Sequence, residues 1–453
     1  MGLTSRSEQL HMDSFFGRER EIALLRRERE VSRRSARFTV LTGRRRVGKT
    51  ALVRRALDDG GLPYVHLPIT RQPEPTLCAQ LQEESERALG MPIPGTCRRF
   101  GELFDALMRE SLRRPFTLVL DEFQEFDRTN PGVFGDVQAV WDRHHAASRI
   151  NLVVSGSVNR LMEKIFFRDS EPLYGRNTGK LVLKPFEPEL LKTIFRHYRP
   201  SFSADALLAL WTVSGGVARY VDMMMVGHAF TRRAMLAEIF SETSPYADEG
   251  RTVLADEFGA DYGTYFTILS AVASGKTTSS ELKALLGTEV GGFLGKLEKQ
   301  YGIVSRKQPL FDRDSAKNGH WQIDDCFFRF WFRFLFKYRY LIELGRYDRL
   351  LDIATRDFDT FSGLALERYF RWKFECEGRY TRMGAWWDRR GENEIDLVCE
   401  DEAENVLDLY EIKRDPARID LRALADKQDA FLAKNPDKRN LRISLRGLSI
   451  KDM

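Results

Sequence analysis

An eight-residue run, Gly43-Arg44-Arg45-Arg46-Val47-Gly48-Lys49-Thr50, satisfies the pattern G-x-x-x-x-G-K-[ST] in full and restricts the architecture of this chain more than anything else in it. Its glycines let the backbone curl so that successive N–H groups point at phosphate oxygens, and a following helix adds the positive end of its dipole. The flanks agree with this reading. Arg37–Thr42 (RFTVLT) is β-branched and apolar, and Leu52, Val53 and Leu57 share one side of a helix beyond the loop. Strand, phosphate loop and helix in that order place Lys49 to bridge the β- and γ-phosphates and the Thr50 hydroxyl to complete a magnesium shell. Gly43, Arg46, Val47, Gly48 and Ala51 belong to the same cradle. ATP with Mg2+ is the expected cofactor pair.

A second apolar strand, Thr117-Leu118-Val119-Leu120, ends in Asp121-Glu122. In a parallel sheet the carboxyl ends of the strands face the nucleotide. Asp121 is then placed to hold magnesium through water, and Glu122 to orient and polarise the attacking water. Ser155 follows the strand INLVV, where it either hydrogen-bonds that water or the γ-phosphate, or serves as a helix cap or loop serine. Arg176, in LYGRNTGKLVL, is read either as reaching the γ-phosphate, from the same chain or from a neighbour, or as a surface residue.

At 453 residues the chain exceeds one ordinary core, and domains of about 100–200 residues imply two to four of them. Further apolar strands read at 63–67, 116–120, 150–154 and 180–183, with helical periodicity between them at 76–89, 100–111 and 133–145. That alternation predicts an α/β domain with a mainly parallel sheet covered on both faces. From 203 to about 258 the pattern is all helical, with Gly215-Gly216 at a tight turn. Helices at 262–273, 279–286 and 290–300, then two short strands at 303–307 and 320–323 around the polar loop DRDSAKNG, make a winged-helix pattern. Cys326 opens CFFRFWFRFLFKYRY, in which Arg329, Arg333 and Lys337 recur every fourth residue. This predicts a helix with one cationic stripe, wedged between domains. A helix at 361–376 and a strand-rich segment follow.

These motifs resemble the archaeal-type ATPases, a branch of the STAND group that also occurs in bacteria. The resemblance runs through FFGRERE (Phe15–Glu21), TGRRRVGKT, LVLDEFQ, VVSGS and LYGR to Gly215-Gly216-Val217-Ala218-Arg219-Tyr220. It implies that Phe16, Gly17 and Arg18 lie beside the adenine. The family usually has proline where this chain has Ala218, which sets apart the adenine-sensing helix but not the phosphate site.

Toward the C-terminus, Glu411 and Lys413 of LYEIKR point to one face of a strand, Asp396 ends the strand NEID, and Glu367 sits on the preceding helix. Helix-E, D and E-x-K together match the metal-dependent PD-(D/E)XK nuclease arrangement. GLALERYF, GAWWDRRGENEIDLV and LYEIKR resemble the nuclease-like domain attached to many archaeal-type ATPases. Asp396 and Glu411 are then expected to bind Mg2+ or Mn2+, Lys413 to position the water, and Glu367 to support the site. The alternative is a retained fold used for contacts, within a non-nucleolytic switch or scaffold that holds DNA or protein. The expected division is 1–200 P-loop ATPase, 201–260 helical lid, 261–340 winged helix with connecting helix, and 341–453 restriction-endonuclease-like α/β domain.

With 71 basic and 66 acidic residues the net charge is +5, so total charge supplies no argument for nucleic-acid binding. Double-stranded DNA is a candidate partner through the winged helix and C-terminal domain, as is a second copy or another protein. Only Lys296 and Lys299 provide cations in the third helix of the winged-helix segment. Arg26, Arg27, Arg33 and Arg34 alternate with glutamates and read as a solvated face. Five cysteines without CxxC spacing argue against a disulfide framework or zinc site, and no stretch approaches the ~20 apolar residues of a membrane helix. The cytoplasm is the expected location.

Overall fold

The computed structural model describes residues 15–58, 60–157, 159–258, 262–312 and 318–453. Two compact units emerge: Asp13–Pro185 with Val217–Arg219, and Phe186–Gly216 with Tyr220–Met453. The first unit thus closes ahead of the expected boundary at 200. Lid, three-helix segment and C-terminal sheet, expected as separate domains, fall in one unit.

In the first unit, β1 (Arg37–Thr42), β2 (Tyr64–Pro68), β3 (Phe116–Asp121), β4 (Ile150–Gly156) and β5 (Gly179–Val182) form one sheet in the order β2-β3-β4-β1-β5. Every neighbouring pair is parallel. β3 and β4 are buried at every position because helices cover both faces, which is why they read as continuous apolar runs. Phe38, Val40, Leu118, Leu120, Leu152 and Val154 pack toward the helices Glu74–Leu89, Phe100–Arg113 and Val133–His144. Leu41, Val119 and Val153 point the other way, onto Leu25 of Glu19–Ser32 and Leu52 and Val53 of Lys49–Leu57. The topology positions the site: β4 lies between β1 and β3, so the loop after β1, the acid pair after β3 and the end of β4 open on one edge.

The second unit begins with helices. At its first tight turn Gly215 and Gly216 take φ values of 59° and 71°, and a Cβ on Gly216 would lie 2.0 Å from the Phe186 carbonyl oxygen, so glycine is required there. Helices Tyr262–Ala273, Ser279–Leu286 and Gly291–Lys299 precede the antiparallel hairpin of β6 (Val304–Lys307) and β7 (His320–Ile323). Residues 313–317 of the polar loop between these strands lie outside the described residues.

The aromatic segment departs from expectation. Cys326–Phe330 is α-helical, but Trp331–Phe336 is a π-helix, whose extra residue per turn breaks the fourfold spacing of cations. Arg329 turns inward over the Phe361 ring at 4.0 Å and donates to the Phe361 carbonyl at 2.8 Å. Burial, reinforced by the charge of Arg368, pushes its pKa down to about 10. Arg333 instead pairs with Asp357 at 2.7 Å. No single cationic face survives.

The helix expected at 361–376 is the second half of a 31-residue helix, Tyr347–Glu377. After it β8 (Arg382–Trp387), β9 (Glu394–Asp401), β10 (Val406–Lys413) and β11 (Arg442–Ser449) form a sheet in the order β11-β10-β9-β8. The first three strands form an antiparallel meander, and β11 joins β10 in parallel after the helix Leu421–Lys434. Tyr369 and Phe370 of the long helix pack on one face of β10 with Tyr410 and Ile412, while Leu424 and Phe431 cover the other with Leu407 and Leu409. All five cysteines are free. Among the described residues no helix is long and apolar enough to cross a membrane.

Candidate functional site

The loop after β1 needs backbone conformations that side chains resist. Gly48 has φ 99°, and a Cβ on Gly43 would lie 2.6 Å from the Leu183 carbonyl oxygen. Arg46 also takes positive φ, 67°. Its carbonyl accepts from the Arg219 N–H at 3.2 Å, so the turn after the glycine pair is tied to the loop itself. Lys49 is buried, and its Nζ donates to the Gly43 carbonyl at 3.0 Å and the Arg44 carbonyl at 3.3 Å. Burial lowers the lysine pKa, against the opposing pull of Glu122 and Asp121.

Thr50 Oγ1 donates to Asp121 Oδ2 at 2.8 Å, joining the first helix after the loop to the end of β3. Ser155 Oγ donates to Asp121 Oδ1 from the end of β4, and His66 Nε2 of β2 stands 3.5 Å from Oδ2. Burial alone would raise the Asp121 pKa, but the nearby His66 imidazole and the hydroxyls of Ser155 and Thr50 outweigh it and hold the carboxyl well below the usual range. Hard oxygen donors from Thr50 and Asp121, beside a lysine and a curled loop, fit a magnesium-bound polyphosphate. When bound, the metal would neutralise phosphate charge.

Glu122 occupies the left-handed region at φ 54°, and its Oε2 accepts from Ser157 Oγ at 2.6 Å and Gln124 Nε2 at 2.5 Å. Arg45 Nε of the loop reaches the same Ser157 hydroxyl at 3.4 Å. The sequence reading missed His66, Ser157 and Gln124. Gln124 and Ser157 lie inside the motifs LVLDEFQ and VVSGS, two residues beyond Glu122 and Ser155, whereas His66 becomes a neighbour only through strand order.

Arg176 requires a correction. It forms a fork on Asp142, with Nη2–Oδ2 2.8 Å and Nε–Oδ1 3.0 Å, and its neighbour Thr178 bonds to Phe38 at the start of β1. That is the sheet edge opposite the phosphate loop, so Arg176 does not reach a γ-phosphate in its own chain. Gly17 and Arg18 take positive φ, 64° and 69°, where they enter the helix Glu19–Ser32. Arg18 bonds to Glu21 at 3.1 Å and to the Lys184 carbonyl, while Phe16 is half-buried.

In the second unit the helix, β9 and β10 bring the C-terminal carboxylates together. Asp396 Oδ2 accepts from the Ile412 N–H at 2.7 Å and Lys413 Nζ at 2.9 Å. Lys413 also pairs with Glu411 Oε1 at 2.9 Å, and Lys427 holds Oε2 at 2.9 Å. Burial, with the charges of Asp396 and Glu394, pushes the Glu367 pKa up to about 8. Burial also raises Asp396, although Lys413 and the Ile412 N–H oppose it. At Glu411 burial is outweighed by both lysines, and the pKa falls. Among the described residues no group of three or more histidines, cysteines or acids is disposed to hold a metal. Glu394 and Lys427 were not anticipated from sequence, since Lys427 arrives from a helix beyond the motif.

Comparison with known proteins agrees with this geometry at the level of the fold. A family model described as an AAA ATPase domain matches residues 14–138. A second, described as archaeal and bacterial proteins of unknown function, matches 331–424. An uncharacterized protein of Methanocaldococcus jannaschii, MJECL04, is 25% identical over 410 residues, covering 88% of this chain and 87% of the relative. The Walker-type ATPase PABY2304 of Pyrococcus abyssi superposes with a TM-score of 0.53 at 19% identity, over 72% of this chain and 97% of that one. The ORC2 protein of Aeropyrum pernix gives 0.51 at 14% identity, over 78% and 99%. The first unit is thus built on the fold of P-loop ATPases.

Proposed function

We propose that the chain binds Mg2+-ATP and hydrolyses it in its first unit, and that this reaction governs a C-terminal domain of the PD-(D/E)XK nuclease type. The observation that carries the ATPase reading is the Thr50–Asp121 hydrogen bond of 2.8 Å, with Glu122 one residue further on. It joins a hydroxyl at the start of the helix after the phosphate loop to a carboxylate at the end of β3, which supports the reading of a shared magnesium and water site. Lys49 neutralises the β/γ-phosphates, Thr50 and Asp121 hold the magnesium, and Ser155 fixes Asp121. Glu122 orients the water whose oxygen bonds to the γ-phosphorus as the bond to the leaving ADP oxygen breaks, and it accepts the water proton. Calorimetric titration with Mg2+-ATP tests the first step: saturable binding lost in Thr50→Ala and Asp121→Ala supports it, and equal affinity in both variants refutes it.

The nuclease reading is supported by the helix–meander–helix–strand order and by Lys413 touching both Asp396 and Glu411. In it those carboxylates bind Mg2+ or Mn2+, Lys413 positions the hydrolytic water, Glu367 supports the site, and duplex DNA is the substrate. A second reading, a non-cutting switch or scaffold, draws on a specific feature: Lys413 and Lys427 already neutralise Glu411 from both oxygens. Manganese-dependent nicking of a plasmid by the full chain, absent in Lys413→Ala, selects the nuclease; no nicking by the parent protein selects the scaffold.

A further inference from the structure

A cleft of about 590 Å³ in the second unit is lined, among the described residues, by thirteen that include Arg251, Lys276, Lys337 and Arg339 and no carboxylate. In a chain with 66 acidic residues against 71 basic ones, four cations and no acid among the described lining residues is a local segregation of charge. All four side chains are exposed, and among the described residues none is paired with a carboxylate. Their neighbours in the same aromatic segment differ: Arg329 is spent on Phe361, and Arg333 on Asp357. The guanidinium carbon of Arg339 lies 4.9 Å from the centre of the Phe336 ring, a contact that uses the face of the group and leaves its in-plane N–H edges for a ligand.

One wall of the cleft is the helix Tyr262–Ala273, which contributes Gly263, Thr267 and Ser270, with Ser274 just past its end. Spacings of four, three and four place these small residues on one face. This stripe of small residues, flanked by Tyr262 and Phe266 of the same helix, admits close approach of an extended polymer, and its serine hydroxyls can donate to phosphate oxygens. From Gly263 to Ser274 the stripe runs about 16 Å at 1.5 Å per residue, the rise of roughly five nucleotides in one strand of a duplex. Tyr262 is the one aromatic of this lining that is strongly exposed, at 50%, so the cleft lacks the succession of stacking platforms that a single strand needs.

We propose that this cleft binds the sugar-phosphate backbone of double-stranded DNA, and that it, not the third helix Gly291–Lys299, is the main electrostatic contact of the segment. This rests on the reading of DNA as a partner and names the surface that takes it. Phosphate neutralisation by Arg251, Lys276, Lys337 and Arg339 makes the contact independent of base sequence and steeply dependent on salt.

The test is fluorescence anisotropy of a labelled duplex with the full chain across a salt series. The triple variant Lys276→Ala, Lys337→Ala, Arg339→Ala is expected to bind at least about tenfold more weakly, with the log–log salt slope reduced by about 0.9 for each contact removed. Lys296→Ala with Lys299→Ala, on the third helix, is expected to bind as the parent does. Unchanged thermal melting and Mg2+-ATP affinity in the triple variant establish that it is folded. Parental duplex affinity in the triple variant, or a loss confined to Lys296→Ala with Lys299→Ala, overturns the cleft while leaving DNA as a partner. No salt-dependent duplex binding by the parent protein overturns both. Tighter binding of a single strand, or of polyglutamate in place of duplex, overturns the assignment in favour of that ligand.

Discussion

Glu122 combines a strained backbone with a carboxylate held through one oxygen: φ 54°, and hydrogen bonds from Ser157 and Gln124 to Oε2. A non-glycine residue held there costs of order 1–3 kcal/mol, which the surrounding strand ends sustain. Ser157→Ala is expected to lower kcat by about tenfold with little change in ATP affinity, since the hydrogen bond it loses to the Glu122 carboxylate, at 2.6 Å, is far shorter than the one it accepts from Arg45 at 3.4 Å. Stopped-flow phosphate release against equilibrium ATP binding separates the two quantities. Glu367 supplies a pH prediction. Its folded pKa of about 8 lies above the ordinary 4.5, so the folded state retains a proton that the unfolded chain releases. Stability contributed by that proton is present below about 4.5 and lost as pH rises through 8. Chemical denaturation at mildly acidic and mildly alkaline pH should show Glu367→Gln losing less stability with rising pH than the parent; equal slopes would contradict the assignment. Lys49, Thr50, Asp121, Glu122 and the C-terminal Asp396, Glu411 and Lys413 were legible because each sits in a short motif whose spacing carries its geometry. His66, Ser157 and Lys427 were not, because each meets its carboxylate only through strand order or a distant helix, and Gln124, two residues beyond Glu122, was passed over because the spacing does not show which way its amide turns. Arg176 stayed open between γ-phosphate and surface because a motif locates a residue in sequence without saying which end of the sheet it occupies, and its fork on Asp142 favours the surface.

Elements read well where burial makes a simple pattern. β3 and β4, covered on both sides, are unbroken apolar runs, and the sequence reading located both, stopping one residue short on β3 and two on β4. The long helix Tyr347–Glu377 was found only in its second half. Its first half buries little more than Leu350, Ala354 and Phe358, and the charged residues around them dilute the periodicity. The π-helix at Trp331–Phe336 has no sequence signature, since a helical wheel drawn at 3.6 residues per turn assumes the answer. Packing explains its persistence: Trp331 is fully buried, its Nε1 donates to the Tyr246 carbonyl at 2.9 Å, and its indole lies against Gly250. A Cβ at Gly250 would meet the indole at 2.2 Å. Gly250→Ala should therefore destabilise the second unit by about 1–3 kcal/mol through overpacking. Urea denaturation followed by tryptophan fluorescence would register it, and an unchanged midpoint would show that the aromatic segment yields easily.

At the scale of the whole molecule, two compact units carry two carboxylate-and-lysine sites of opposite design. In the first, Asp121 is held ionised by hydroxyl donors and Lys49 rests on loop carbonyls, a geometry open to an incoming polyphosphate. In the second, lysines already lie on the carboxylates, and the Glu367 carboxyl is pushed toward its neutral form. The first site is thus the more direct place to test function, and a pair of variants separates binding from chemistry. In the proposed mechanism Lys49 holds phosphate, whereas Glu122 acts on the water. The decisive measurement is nucleotide affinity and phosphate release on the full chain for the parent, Lys49→Ala and Glu122→Gln. Expected is a parent that binds and hydrolyses Mg2+-ATP, a Lys49→Ala variant that loses tight binding, and a Glu122→Gln variant that keeps ATP while turnover falls by a factor of about 10² or more. Hydrolysis at the parental rate by Lys49→Ala, or by Glu122→Gln, would contradict the assignment of this site.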